Sequence, residues 1–236
     1  MTTDGLWAPR GTSARWIVLV AMSVNLAASL MMATVLRQGT AAGGAIEDRL
    51  AYVASHAGMV SAGWYTWELA TLSLVAVFAT VLRSLDSPGT SGLRALSFLL
   101  LAMGAIPDSI NNLINAGILP DIAVEWASLA EGDPLRVVLA GEFARWDRFT
   151  VLLTGALANG LYAAAGWLLM VSAYRTAAYP RALCHLQWVL WSATTAMSAA
   201  AVVDSTPALI ATVGVTMASF VVWSASTAWL WLGRRP

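Results

Sequence analysis

Lysine is absent from this chain of 236 residues, and all 13 of its basic residues are arginine. Without lysine there is no Schiff-base chemistry, so retinal and pyridoxal phosphate are excluded, as is any lysine nucleophile or base. Cysteine occurs once, as Cys184, and histidine twice, as His56 and His185. Intrachain disulfides, iron–sulfur clusters and thiolate metal sites are thereby excluded, and no motif asks for a metal or a cofactor. Charge is scarce too: 11% of residues carry it, against about 25% in a soluble domain. The formal net charge is 0 and the one adjacent basic pair is Arg234-Arg235, so nucleic acid is excluded as a partner.

What the chain has instead is apolar surface: 58% of residues are hydrophobic and the mean hydropathy is +0.69. A helix needs about 20 apolar residues to cross a hydrocarbon layer of about 30 Å. Six runs meet that need, at about 16–36, 58–82, 95–119, 150–172, 182–203 and 208–232. The reading is an all-α, polytopic membrane bundle forming a single six-helix domain over 16–232, after an N-terminal segment 1–15 and before a tail 233–236. The first run is too long for a signal-peptide core and is expected to be a retained span. Pro107 interrupts the third and is expected to kink it.

Arginine counting sets the orientation. Arg10, Arg15, Arg83, Arg94, Arg175, Arg181, Arg234 and Arg235 fall on one side, and Arg37, Arg49, Arg136, Arg145 and Arg148 on the other. The richer side is expected to be cytoplasmic, with both termini there and the chain in a cell inner membrane. Connections on that side are short turns, Asp86-Ser87-Pro88-Gly89 and Tyr179-Pro180. The outer connections, 38–57 and 120–149, are long and are expected to lie over the mouth of the bundle as a lid. In the second of them, 121–130 reads as a short amphipathic helix with Ile122, Trp126 and Leu129 on one side. Asp133-Pro134 then reads as an N-cap with proline at the first helical position, opening a helix that continues into the fourth span.

Ionisable groups inside a span are costly and mark functional sites by default. Among 13 acidic residues, Glu68 and Asp108 alone fall deep in spans. Glu68 lies 15 residues from Arg83, Asp108 14 from Arg94, and Asn159 16 from Arg175, which places all three about 21–24 Å from the arginine level. Helical spacing gathers Ser61, Trp64, Tyr65, Glu68 and Thr71 on one face of the second span, and Gly104, Asp108, Asn111, Asn112 and Asn115 on one face of the third. Asn159 and Tyr162 are neighbours on the fourth span, and Asn25 and Ser29 on the first. The expectation is an enclosed polar cavity rimmed by tryptophan and methionine. Glu68 and Asp108 would be its acid and base, and Trp64, Trp67, Tyr65, Asn112, Asn115, Asn159, Tyr162 and Asn25 its ligand-binding residues. With no arginine at that depth, two bare carboxylates are disfavoured, so a shared proton or a neutral acid beside an anion is expected.

Several signals have plainer explanations. His56 and His185 fall at opposite ends of the bundle, too far apart to share a haem, and Asp204 reads as a turn residue. Six of the 12 tryptophans are expected in interfacial belts, Trp7, Trp16, Trp229 and Trp231 at one end and Trp126 and Trp146 at the other. The series Ala156, Gly160, Ala164 and Ser192, Ala196, Ala200 reads as close helix contacts.

Three functions follow. The first is an acid–base enzyme without metal, cyclising or isomerising an isoprenoid- or sterol-like substrate dissolved in the membrane. Trp67-Glu68 on the second span resembles a feature of membrane-bound terpene cyclases, small helical bundles that use acidic residues. The likeness covers those two residues, has no second motif beside it, and implies one span more than the six counted. The second function is a non-enzymatic subunit holding a lipid, quinone or pigment, and the third a proton-coupled carrier or sensor, against which the lack of an internal repeat weighs. The partners the chain admits are membrane lipid or a lipid-soluble small molecule, and a homodimer or larger membrane complex.

Overall fold

A computed structural model describes residues 11–85 and 89–234. The first ten residues with Trp7 and Arg10, the turn residues Asp86, Ser87 and Pro88, and Arg235 lie outside that range. Among the described residues all regular structure is helical. Helix α1 covers Gly11–Thr34, α2 Ile46–Ser55, α3 Ala57–Ser84, α4 Ser91–Leu113, α5 Leu119–Ser128, α6 Pro134–Thr150, α7 Asn159–Arg175, α8 Arg181–Val202 and α9 Thr206–Leu230.

Long apolar runs give the long helices, and arginine side chains close the ends of α3, α7 and α8. Arg94 donates to the carbonyls of Leu82 and Leu85 at the end of α3. Arg181 donates to the Tyr174 carbonyl at the end of α7 (2.8 Å) and Arg148 to the Ala201 carbonyl at the end of α8 (3.2 Å). The last carbonyls of a helix have no partner within it, and a cation there also meets the negative end of the helix dipole. Arg148 also pairs with Asp204 at 2.8 Å. Asp204 is a turn residue as expected, with φ of 57°, a left-handed conformation that aspartate tolerates better than most residues.

Six long helices close into a ring in which each packs on the next, α1 on α3, then α4, α7, α8, α9 and back to α1. Five stretches are long and apolar enough to cross a membrane: Thr12–Thr34, Ala57–Ser84, Ser91–Ser128, Pro134–Arg175 and Thr206–Leu230. The expected fifth span, α8, has the length, but Arg181, His185, Gln187 and its hydroxyl residues dilute it. It still runs antiparallel to α7 along its length, since Gly155 meets Ala201, Gly160 meets Ser198 and Gly166 meets Trp191. This register corrects the expected small-residue series: Ala164, Ser192 and Ala196 are exposed. Pro107 sits inside α4 without ending it.

Two features of α4 and α6 were not readable from a 3.6-residue period. α4 passes through a wide π turn, Ile114–Ile118, straight into α5, and α6 passes through another, Val151–Ala158, into α7. The lid is built from α2, α5 and α6, and α2 lies where the sequence offered only a long connection. As expected, Asp133 caps α6, its Oδ1 accepting from the Leu135 amide at 2.8 Å. Leu36, Leu50, Val53, Ile122, Trp126 and Phe143 form the lid's own core, and each fully buried side chain of this size contributes about 1.5–3 kcal/mol. Arg49 and Asp147 pair at 2.7 Å between α2 and α6.

At the opposite end Trp191, Trp223, Phe220 and Phe78 pack together in the ring's core. Trp231, expected in an interfacial belt, is buried there against Tyr179, and Trp126 is likewise buried in the lid. Trp16 and Trp229 remain exposed, with the Arg15 guanidinium 3.6 Å above the Trp229 ring.

Candidate functional site

Asp108 sits on the face of α4 turned into the ring, where it is 4% exposed. Its Oδ2 accepts from Thr71 Oγ1 on α3 (2.8 Å) and Tyr162 OH on α7 (3.0 Å), and its Oδ1 from Thr154 Oγ1 (2.8 Å). Three hydroxyl groups, from α3, α7 and the wide turn that leads into α7, thus donate to one carboxyl group. Gly104, one turn earlier on α4, makes the Tyr162 contact feasible: a Cβ there would stand 2.7 Å from Tyr162 Cε1. The Tyr162 ring crosses α4 where there is no side chain, and its hydroxyl reaches Asp108.

Glu68 occupies a different setting. It is half-buried, on the outer seam between α3 and α4. Its Oε1 accepts from Ser109 Oγ (2.8 Å) and its Oε2 from Asn112 Nδ2 (2.9 Å). Asn112 Nδ2 also donates to Thr71 Oγ1 at 3.3 Å. A continuous chain therefore runs Glu68, Asn112, Thr71, Asp108, with one amide and one hydroxyl between the carboxyl groups.

Beyond Asn112 an amide ladder leads toward the lid. Asn111 Nδ2 donates to Asn112 Oδ1, and Asn115 Nδ2 donates to both Asn111 Oδ1 and the Asn111 carbonyl, all at 2.9 Å. We assign the Asn111 amide this way because the reverse orientation sets its oxygen 2.9 Å from Asn112 Oδ1. Ser61 Oγ donates to the Ala116 carbonyl at 2.6 Å, tying α3 to the wide turn of α4. Above the ladder, Trp64, Asn115, Thr40 and Phe143 border a space of about 10 Å³, enough for about one water molecule.

The geometry brings together Glu68, Asp108, Asn112 and Tyr162, with Asn115 and Trp64 at the lid end. The others fall elsewhere. Asn25 Nδ2 donates to the Ala21 carbonyl (2.8 Å) and Ser73 Oγ (2.9 Å), joining α1 to α3 away from the carboxyl groups. Tyr65 is 55% exposed on the outside of α3, because one residue beyond Trp64 rotates the side chain by about 100°. Trp67 is half-buried, and Asn159 is buried on α7 without a hydrogen bond to either carboxyl. The wide turn before Asn159 shifts the phase of that helix and gives the place beside Asp108 to Thr154. Thr154 and Ser109 are the site residues that sequence reasoning missed; Ser109 was signalled only by adjacency to Asp108. In place of the expected enclosed polar cavity, the polar groups of this layer bond to one another, and the one-water space is bordered by Trp64 without methionine.

No protein-family model, no curated protein and no solved structure matches this chain.

Proposed function

We propose that the protein resides in the inner membrane with both termini cytoplasmic, binds a lipid-soluble small molecule at the Glu68–Asp108 site, and performs acid–base chemistry on it. Isomerisation or cyclisation of an isoprenoid- or sterol-like substrate needs no more than a positioned proton. One given by Glu68 to a double-bond carbon and one taken back from a neighbouring carbon moves the double bond and returns Glu68 to its starting state. Ser109 and Asn112 would fix the two Glu68 oxygens during that exchange. Asp108 would act as a positioning residue through Thr71 and Asn112.

One observation carries this reading. A half-buried carboxyl group, about 22 Å along its helix from Arg83, is hydrogen-bonded in series to a second, fully enclosed one. Amides alone could knit three helices at lower cost, since an ionisable group in hydrocarbon is expensive to keep.

The test is extraction and mass spectrometry of small molecules from protein purified in mild detergent, wild type beside Glu68→Gln. A stoichiometric lipid-soluble molecule in the wild type, lost from the variant, is the expected result; full turnover by Glu68→Gln contradicts the reading. A second reading, a non-enzymatic accessory or pigment-, quinone- or lipid-holding subunit, is favoured by the closure of the polar network on itself. It predicts a bound molecule that is never converted.

A further inference from the structure

Two carboxyl groups of one network meet different surroundings. Asp108 is enclosed by α3, α4 and α7 and accepts three hydrogen bonds. Glu68 accepts two, one on each oxygen, and a carboxyl oxygen has two lone pairs. One acceptor position on each Glu68 oxygen is therefore left for a visitor.

The surroundings of Glu68 say where a visitor comes from. On α3 Tyr65, Leu69 and Leu72 are exposed at 55, 58 and 53%, and on α4 Ile106 and Ile110 at 63 and 45%. These residues flank Glu68 and Ser109 within one turn on either side, so the seam opens sideways from the ring. At about 22 Å from the level of Arg83, sideways is the hydrocarbon of the bilayer. The lid does not cover this seam: its core gathers over Leu36, Val60 and Ile114, at the far end of the amide ladder.

The chemistry of a ligand follows from what the seam offers. It presents unused acceptor positions and the Tyr65 hydroxyl, and no arginine lies at its depth. A head group that accepts only, such as a ketone or ester, can take the Tyr65 hydroxyl but brings nothing to the open positions on the Glu68 oxygens; an alcohol or an amine brings a donor for them, and a protonated amine also brings the counter-charge. We propose that the α3–α4 seam is a lateral binding site, open to the bilayer, for an amphiphile with a donating head group, an alcohol or an amine. Glu68 is its contact, Tyr65 lines its mouth, and Asp108 stays untouched. This deepens the function proposed above and rests on its assignment of Glu68.

The test is carbodiimide labelling of the full chain in proteoliposomes. A carboxyl group adds across a carbodiimide and rearranges to a stable N-acylurea, read by peptide mass spectrometry. Dicyclohexylcarbodiimide, which partitions into the bilayer, is expected to mark Glu68 and not Asp108, while a charged, water-soluble carbodiimide marks neither. Dodecylamine or dodecanol at about ten times its dissociation constant should slow the Glu68 adduct about tenfold, and dodecane should not. Leu72→Trp, at an exposed position beside the seam, should slow it as well without loss of fold. Labelling of Asp108, no adduct on Glu68, or equal labelling by the water-soluble reagent overturns the lateral site. Equal protection by dodecane, or none by either amphiphile, overturns the ligand class. Because labelling needs no natural substrate, Glu68 can label as expected even where no converted molecule is found, which would sink the enzymatic reading and leave the seam standing.

Discussion

Two buried hydrogen-bond networks that lock helices together stand out among the described residues, one built around carboxyl groups and one without any. Near the end that carries Arg175 and Arg181, Tyr179 OH accepts from Gln187 Nε2 (2.9 Å) and Trp223 Nε1 (3.2 Å), and Gln187 Oε1 accepts from Trp191 Nε1 (3.5 Å). Every member is neutral, every one is buried, and rings of Phe78, Trp191, Trp223 and Phe220 enclose them. At mid-depth α3, α4 and α7 join in a network of similar extent in which Glu68 and Asp108 take the acceptor roles. The aromatic network shows that this chain can lock helices together with amides, indoles and a phenol. Carboxyl groups at mid-depth are then an added expense that helix packing does not require, and Glu68, the one left partly open, is where that expense has a use.

The comparison breaks most readily at Asp108. Asp108→Ala leaves the Thr71, Thr154 and Tyr162 hydroxyls without their acceptor, and at about 1–3 kcal/mol for each stranded buried group the loss should exceed 3 kcal/mol. Denaturation in mixed micelles followed by tryptophan fluorescence would measure it; a loss under 1 kcal/mol would mean the three bonds are dispensable. Next is the aromatic side. A Cβ on Gly166 would stand 2.1 Å from Trp191 Cδ2, so Gly166→Ala should cost about 1–3 kcal/mol by overpacking, read in the same assay. Gln187→Leu, which removes one donor from Tyr179 but leaves Trp223, should cost about 1–2 kcal/mol and leave any bound small molecule in place.

A pH series sharpens the contrast further. Burial pushes the Tyr179 hydroxyl up to about 12, against about 10 in an unfolded chain. The folded state therefore holds this proton more tightly. Its contribution is complete below about pH 10 and is lost as pH rises through 12, so the unfolding midpoint should be flat to pH 9 and fall above 10. A fall beginning near pH 8 would place the aromatic network's weakness elsewhere. Smallest of all is Tyr65→Phe, expected to change stability by less than about 0.5 kcal/mol, as an exposed surface substitution does.

Much of this was legible in the sequence because the membrane imposes it. Apolar runs bounded by arginine gave the long helices, Asp133-Pro134 gave the start of α6, and depth counting put Glu68, Asp108 and Asn159 in one layer, of which the first two share a hydrogen-bonded chain. What could not be read follows from departures from regular geometry. The wide turn over Val151–Ala158 exchanged Asn159 for Thr154 beside Asp108, and the one over Ile114–Ile118 carried α4 without a break into α5, the short helix expected over 121–130. α2 was hidden because a ten-residue helix carrying Glu47, Asp48 and Arg49 is too short and too polar to register among long apolar runs, although Ile46, Leu50 and Val53 recur at helical spacing. Tyr65 and Asn25 were drawn to the site by spacing alone, whereas side-chain direction turned one outward and gave the other to Ser73.

The central claim, that the carboxyl network serves a ligand and the aromatic network serves the fold, is tested most directly by native mass spectrometry. Wild type, Glu68→Gln and Gln187→Leu would be released from the same mild detergent and compared for bound mass. The account predicts a small molecule on the wild type and on Gln187→Leu, and its loss from Glu68→Gln at unchanged stability. Retention of that molecule by Glu68→Gln, or its loss from Gln187→Leu alone, would contradict it.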